Sequence, residues 1–173
     1  MAGSNVMLDN AIEKITIETG KYLTFKLANE NYGIGILKVK EIIGMMTITT
    51  VPRTPDFVKG VINLRGKVIP IMDLRLKFSM EAIPYNDRTC IIVVEIETDS
   101  GTILMGIVVD AVSEVMNISE SEIEDTPAFG TSLDTDYILG IAKTEDGVKI
   151  LLNIDKILSI KDISAINEST EKV

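Results

Sequence analysis

The chain contains no histidine, no tryptophan and only one cysteine among its 173 residues. Without histidine it cannot supply a Ser-His-Asp or Cys-His catalytic pair, an imidazole metal ligand or a phosphorylated histidine. The single thiol, Cys90, cannot form a disulfide within the chain, so nothing favours an oxidising compartment. These absences exclude the enzyme and metal-binding classes that depend on histidine.

Aromatic residues and positive charges are also scarce. Aromatics make up 5% of the chain, and 17 Lys and Arg against 26 Asp and Glu give a net charge of −9. Such a chain repels phosphate backbones and has few platforms for stacking bases, so we predict no nucleic-acid binding. No basic, apolar signal peptide opens the sequence, and its apolar runs are far shorter than the ~20 residues of a membrane helix. We therefore expect a cytoplasmic protein.

Hydrophobic residues, 46% of the chain, fall mainly in short β-branched runs between turn residues. This pattern predicts an all-β protein with few short helices, the latter at 74–78 and 155–159. Four hairpins are expected, with strand pairs at 21–27 and 32–36, 61–64 and 67–72, 89–97 and 102–109, and 137–143 and 148–154. Pro70 lies inside one strand pattern, which predicts an edge strand or a bulge.

An internal repeat is the most informative pattern. Gly33-Ile34-x-Ile36-x-x-Val39-x-Glu41-Ile42 returns as Gly106-Ile107-x-Val109-x-x-Val112-x-Glu114-Val115. Phe57-Val58-x-Gly60-Val61 returns as Tyr137-Ile138-x-Gly140-Ile141, with a longer offset that places an insertion within 118–136. The repeat predicts two similar small barrels of about five strands each, related by a pseudo-twofold axis.

The expected organisation follows from this repeat. We assign one domain to residues 21–158, with a first lobe at about 21–80 and a second at about 89–158. Whether the lobes exchange strands is left open. Residues 1–20 are expected to form a tail or a short helix, and residues 159–173 a polar tail.

Several motifs resemble catalytic or binding sites but fail on spacing or context. Gly33-Ile34-Gly35 lacks the third glycine of a dinucleotide fingerprint, and Gly60 to Lys67 has the wrong spacing for a phosphate loop. Asp99-Ser100-Gly101 matches an aspartic-protease triplet, but no second triplet supplies the partner carboxylate, so a tight turn is the better interpretation.

The remaining candidates for chemistry also have structural interpretations. The acidic segment 119–125 lacks the spaced ligands of a calcium loop, and Ser119 with Glu122 predicts a capping box. Cys90 begins an apolar strand and is interpreted as an inert buried thiol. We predict no catalytic residue, no metal site and no cofactor.

Two surface features remain. Asn63-Leu64-Arg65-Gly66 predicts a hairpin tip from which Leu64 and Arg65 project, and arginine is enriched at interface hot spots, although a solvated turn arginine is the alternative. The valines of the duplicated Val39-x-Glu41 and Val112-x-Glu114 segments could line an apolar groove between the lobes that accepts a helix or helical hairpin. The alternative is that they pack the core between the barrels.

These residues together resemble the CheW family of bacterial chemotaxis coupling proteins. The similarity runs from about Lys21 to Leu158. The specific motifs are Tyr32-Gly33-Ile34, Val61-Ile62-Asn63-Leu64-Arg65-Gly66, Pro70-Ile71-Met72-Asp73-Leu74-Arg75 and Gly106-Ile107-Val108-Val109-Asp110. The resemblance implies two five-stranded, SH3-like β-barrels around a shared core, and a non-enzymatic adaptor.

The resemblance also implies partners. Members of the family bind the regulatory domain of the histidine kinase CheA and the cytoplasmic tips of chemoreceptors, in arrays at the membrane. We therefore expect membrane association only through receptors and a monomer in isolation. The chain lacks the histidine of the kinase and has no room for the kinase's further domains. It also has no room for an appended receiver domain, so a stand-alone coupling protein is favoured.

Site residues are carried over by position. Val39, Glu41, Val112 and Val115 match positions implicated in the receptor-binding groove. Kinase and receptor coupling is assigned to Arg65, Gly60 and Leu64. Gly35 departs from the family pattern, which has an aspartate there. Two other functions stay open at this stage: a paired-barrel module for another receptor or kinase, and a small hydrolase using Asp99 or the acidic residues 120–125.

Overall fold

The structure, a computed structural model, describes residues 20–125 and 137–158. Within these ranges the strands are β1 (Lys21–Leu27), β2 (Glu30–Gly35), β3 (Val39–Gly44), β4 (Val58–Leu64), β5 (Lys67–Asp73), β6 (Cys90–Thr98), β7 (Gly101–Val109), β8 (Ala111–Asn117), β9 (Ile123–Glu124), β10 (Ile138–Thr144) and β11 (Gly147–Leu152). The helices are two single turns, α1 (Leu74–Lys77) and α2 (Ile154–Ile157), with 3-10 turns at Ile36–Lys38 and Glu120–Glu122.

The strands form two sheets of matching design. The first sheet has the order β8-β1-β2-β11-β10-β9 and the second the order β3-β6-β7-β5-β4. The all-β prediction with two similar halves and few short helices is confirmed. The first sheet differs from the expected five strands by the two-residue β9, which pairs with β10.

The two repeats exchange strands between the sheets. In the first sheet, β1 pairs with β8 and β2 runs parallel to β11, so the β1–β2 hairpin is completed by strands of the second repeat. In the second sheet, β6 pairs with β3 and β7 runs parallel to β5. The segments 21–80 and 89–158 therefore describe the repeats, and neither of them corresponds to one sheet.

Three clusters of buried side chains account for this arrangement. The largest lies between the sheets and includes Phe25 and Ile34 from the first and Ile92 and Ile107 from the second. A second cluster consists of side chains from the second sheet, and a smaller one around Leu151 consists of side chains from the first sheet and the residue after β8. Burying apolar surface between two sheets that share strands from both repeats makes them one cooperative unit.

The four predicted hairpins are present, and their tips have the expected conformations. At the β4–β5 tip both Arg65 (φ 52°) and Gly66 (φ 85°) have positive φ, as a two-residue turn with matching twist requires. The strands β3 and β8 were not predicted, because Lys40-Glu41 and Ser113-Glu114 interrupt their apolar alternation. In the structure Val39 lies on β3 and Val112 lies on β8.

Pro70 was predicted to mark an edge strand or a bulge, and the edge-strand alternative is wrong. Its strand, β5, lies between β7 and β4. The parallel ladder with β7 begins only at Ile71, one residue later, so the missing N–H of Pro70 interrupts no pair of that ladder. The irregularity lies on the partner strand, where the register shifts between Val58 and Gly60.

Some predicted segments lie outside the described residues. These are the N-terminal residues 1–19, residues 126–136 of the expected insertion, and the C-terminal tail 159–173. Among the residues that the structure describes, no helix combines the length and apolar character needed to cross a membrane.

Candidate functional site

The centre of the candidate site is an ion pair between Glu41 on β3 and Arg65 at the β4–β5 tip. Arg65 Nη1 donates to Glu41 Oε1 at 2.7 Å, and Nη2 donates to Oε2 at 2.9 Å. The planar guanidinium thus matches both carboxylate oxygens at once. The Arg65 side chain is 71% exposed and that of Glu41 31% exposed, so the pair lies open on the surface.

The pair keeps both groups charged. The hydrogen bonds from Arg65 are the main cause that lowers the pKa of Glu41, and those to Glu41 raise the pKa of Arg65. An exposed pair of this kind contributes little to stability because water and salt screen it. The pair can instead serve in binding, since either charge can exchange its partner for a group on another protein.

The depressed pKa of Glu41 gives a measurable prediction. Its carboxyl should titrate below the ordinary range of glutamate, and Arg65→Gln should return the midpoint to that range. Because the folded pKa is lowered, the stabilisation from the pair is present at neutral pH and is lost as the pH falls through the folded pKa. An NMR titration of the Glu41 side-chain carbonyl measures this directly in the wild type and in the variant. An Arg65→Gln midpoint equal to that of the wild type would contradict the assigned cause.

The hairpin that carries Arg65 is held by its neighbours. Asn63 Oδ1 accepts a hydrogen bond from the Gly66 N–H at 2.8 Å, which closes the tip. Leu64 was expected to project outward with Arg65, and this is wrong. It is half-buried and packs against the core of the second sheet, because it lies on the same strand face as the buried Ile62. Of these two side chains, only that of Arg65 projects.

Gly60 lies on β4, at the bulge where the register with β5 shifts. Its φ is +139°, and a Cβ at this position would lie 2.0 Å from the Thr49 carbonyl oxygen. Thr49 in turn exchanges two backbone hydrogen bonds with Val61, at 2.8 and 2.9 Å, joining the segment after β3 to β4. Gly60 therefore permits the closure that brings the β3 side of the sheet, with Glu41, close to the hairpin of Arg65.

The duplicated valines lie on the edge strands β3 and β8. Val39 and Val112 are both half-buried and pack against the cluster between the sheets, so their side chains take part in the core. Val115 is 51% exposed, and Ile42, its equivalent in the first repeat, is 43% exposed. Ile42 was not among the predicted site residues, although its place in the repeat is a signal that could have identified it.

A buried threonine fixes the strand that carries Val112 and Val115. Thr24 on β1 donates from Oγ1 to the carbonyl oxygen of Glu114 at 2.8 Å and accepts from the Glu114 N–H at 3.2 Å. The register between β1 and β8 shifts at this point. The hydroxyl therefore supplies the hydrogen bonds that the bulge removes from the ladder.

The candidates for enzyme chemistry have structural roles. Asp99 and Ser100 form the β6–β7 turn, where Thr98 Oγ1 donates to the Gly101 carbonyl at 2.6 Å. Ser119 and Glu122 form the predicted capping box. Cys90 is half-buried rather than buried, and its Sγ donates to the Arg88 carbonyl at 3.2 Å. Within residues 20–125 and 137–158, no three His, Cys, Asp or Glu side chains are grouped to hold a metal ion.

Two strand-exchanged sheets that present an exposed ion pair and apolar side chains on their edge strands are suited to binding other proteins. Residues 21–162 match the family model of the CheW-like domain. The chain is 40% identical to the chemotaxis protein CheW of Klebsiella aerogenes over 90% of this chain and 93% of that one, and 34% identical to that of Helicobacter pylori over 82% of each. The scaffolding protein CheW of Thermoanaerobacter tengcongensis has a similar solved structure, with a TM-score of 0.73, 39% identity, and coverage of 82% of this chain and 94% of that one.

The chain therefore belongs to the CheW family and is a chemotaxis coupling adaptor. The predicted family, fold and adaptor function are confirmed. Nothing in the comparisons favours the hydrolase alternative.

Proposed function

We propose that this adaptor links the cytoplasmic tips of chemoreceptors to the regulatory domain of the histidine kinase CheA, so that receptor signals control the kinase. The observation that carries this proposal is the exposed, two-point pair between Glu41 on the edge strand β3 and Arg65 at the β4–β5 tip. An arginine presented at a rigid tip is a typical anchor for a carboxylate on a partner. Recruitment to membrane arrays would then follow from receptor binding alone.

We assign receptor binding to the apolar side chains on the edge strands. Val115 on β8 and Ile42 on β3 are exposed, and they occupy equivalent positions in the two repeats. Val112 and Val39 lie on the same strands and are half-buried against the core between the sheets. Exposed apolar side chains on these two edge strands suit contact with the apolar face of a helical hairpin.

We assign kinase coupling to the β4–β5 hairpin. Arg65 supplies the exposed charge, Leu64 anchors the tip in the second sheet, and Gly60 sets the bulge that aims the hairpin. Because Glu41 contacts Arg65 directly, the receptor surface on β3 and the hairpin meet at this ion pair. A signal that changes one surface has a direct contact through which to reach the other.

Val115→Asp is expected to weaken binding to a receptor tip fragment at least tenfold, because it desolvates a charge in an apolar contact. The protein should stay folded, since Val115 is exposed. Calorimetric titration against the receptor fragment and against the CheA regulatory domain measures both affinities. Val148→Asp is the matched control, because Val148 is equally exposed on β11, three strands away in the same sheet.

Two outcomes of these titrations would contradict the proposal. Equal losses of receptor affinity in Val115→Asp and Val148→Asp would show that β8 has no special part in the contact. Wild-type protein that binds neither partner would remove the proposed function as a whole while leaving the family assignment in place.

A further inference from the structure

The chain crosses from one sheet to the other at two equivalent points of the repeats. The first crossover is the 3-10 turn Ile36–Lys38, which leads from β2 into β3. The second is Asp110, between β7 and β8. Each crossover is immediately followed by a strand that carries candidate receptor-binding side chains. What holds the crossovers therefore determines where those strands lie.

At the second crossover, Asp110 gathers hydrogen bonds from both sheets. Its Oδ1 accepts from Arg75 Nε and its Oδ2 from Arg75 Nη2, both at 2.7 Å, and Oδ2 also accepts from the Ala28 N–H at 2.9 Å. Arg75 lies on α1, directly after β5 of the second sheet, and Ala28 lies in the β1–β2 turn of the first. Burial would raise the pKa of the Asp110 carboxyl, but these hydrogen bonds outweigh it and lower that pKa.

At the first crossover, a different aspartate makes the corresponding contacts. Asp155 on α2 accepts from Lys38 Nζ at 2.7 Å and from the Glu97 N–H at 3.3 Å. Lys38 belongs to the crossover itself, Glu97 lies on β6 of the second sheet, and α2 follows β11 of the first. This aspartate too joins a crossover, a helix and a hairpin that belong to different sheets.

The two clusters have opposite polarity. Arg75 and Asp155 are both the second residue of their helices, after equivalent strands, so a cation on one helix corresponds to an anion on the other. The crossover supplies the anion Asp110 in one case and the cation Lys38 in the other. An ion pair is thus kept at both places although the residues that form it are reversed.

We propose that these two ion-pair clusters, here called the crossover clamps, are positioning devices that set the spacing between β3 and β8. Of the two, the Lys38–Asp155 ion pair breaks more readily. The clamp role stands on the contacts alone, and only its effect on receptor binding rests on the proposed function.

The unequal strength follows from geometry. The Arg75–Asp110 clamp is bidentate, and its side chains are only 14% and 21% exposed. The Lys38–Asp155 clamp has one side-chain contact, and its side chains are 32% and 35% exposed. Two-point arginine contacts hold direction as well as distance, whereas a single, better solvated lysine contact is screened more strongly.

The spacing can be measured without any partner. Spin labels on Gly44→Cys and Asn117→Cys in a Cys90→Ser background would report the distance between the ends of β3 and β8 by pulsed electron resonance. Both positions are exposed, and a Cβ at Gly44 meets nothing within 4 Å. Lys38→Met should broaden the distance distribution, and Lys38→Arg should restore it.

The matched control is Lys40→Met. Lys40 lies on β3 and forms an ion pair with Glu95 at 2.8 Å, but this pair joins neighbouring strands of one sheet. It should leave the distribution unchanged. Asp110→Asn should broaden it further than Lys38→Met, and should that variant fail to fold, Arg75→Lys, which keeps the charge, provides the same comparison. Identical distributions in Lys38→Met and wild type, or equal broadening in Lys40→Met, would overturn the proposal.

Receptor binding gives the functional readout. Lys38→Met should weaken binding to the receptor tip fragment by about threefold, and Arg75→Lys by about tenfold, with Lys40→Met unchanged. If the wild-type protein does not bind the fragment, the proposed function fails while the distance measurement still decides the clamp. Broadened distances with unchanged receptor affinity would overturn the link between clamp and receptor surface.

Discussion

Arg65→Glu is expected to abolish kinase activation in a mixture of receptor, CheA and this protein, while leaving the fold intact. The change removes the exposed guanidinium and sets a second carboxylate against Glu41, so the tip presents negative charge where it had presented positive. A partner carboxylate at this place would be repelled. Kinase autophosphorylation measures the activation, and circular dichroism with thermal unfolding measures the fold.

Two further variants separate the possible reasons for the loss. Arg65→Lys keeps the charge but lacks the planar fork, so it should activate only in part. The double variant Glu41→Arg with Arg65→Glu restores an ion pair with the positions reversed. Activation by the double variant would show that the internal pair is what counts, whereas its inactivity would show that a positive tip is needed. Arg88→Glu, an exposed arginine before β6, is the control for a general effect of charge.

Activation by Arg65→Glu at the wild-type level would contradict the role of the hairpin in coupling. Loss of activation together with an unfolded protein would also contradict the present interpretation, since it assigns Arg65 no part in the core.

Gly60→Ala is expected to have the largest effect on stability. The methyl group would lie 2.0 Å from the Thr49 carbonyl oxygen, and alanine rarely adopts a φ of +139°. Backbone strain together with loss of the Thr49–Val61 pairing should lower the free energy of unfolding by roughly 3 kcal/mol. Urea denaturation measures this difference.

The matched control for Gly60 is Gly44→Ala on β3. A Cβ at Gly44 meets nothing within 4 Å, so that variant should change the free energy of unfolding by no more than about 0.5 kcal/mol. Equal stabilities of the two variants would show that the bulge on β4 tolerates a side chain. Because the bulge joins the segment after β3 to β4, Gly60→Ala should also impair coupling in whatever fraction stays folded.

Local patterns were sufficient to predict the hairpins. The apolar run in 21–27 and the turn residues Arg65-Gly66 act over a few residues, and such signals are present in the sequence itself. The strand exchange could not be predicted in the same way. Each repeat has the same apolar pattern whether its first hairpin pairs within its own repeat or with the other, and only the packing of the whole chain decides.

The sequence indicated candidate site residues one by one, but it did not indicate the contact between Glu41 and Arg65. Glu41 and Arg65 were assigned to different surfaces, since their contact depends on the closure between Thr49 and Val61, which no local pattern indicates. Leu64 was expected at the surface because it adjoins the turn, but it continues the alternation of β4 and faces the core on the same side as Ile62. The roles given to Val39, Val112 and Val115 stay predictions that the binding experiments test.

The exchange of strands also governs the order in which the chain can complete its fold. Thr24 and the backbone of Glu114, which hold β1 to β8, are 90 residues apart in the sequence. The parallel partner of β2, β11, is the last strand of the described chain. Contacts of such long range are slow to form, because the intervening loop must first lose its conformational entropy. During synthesis the β1–β2 hairpin thus leaves the ribosome well before its partner strands β8 and β11.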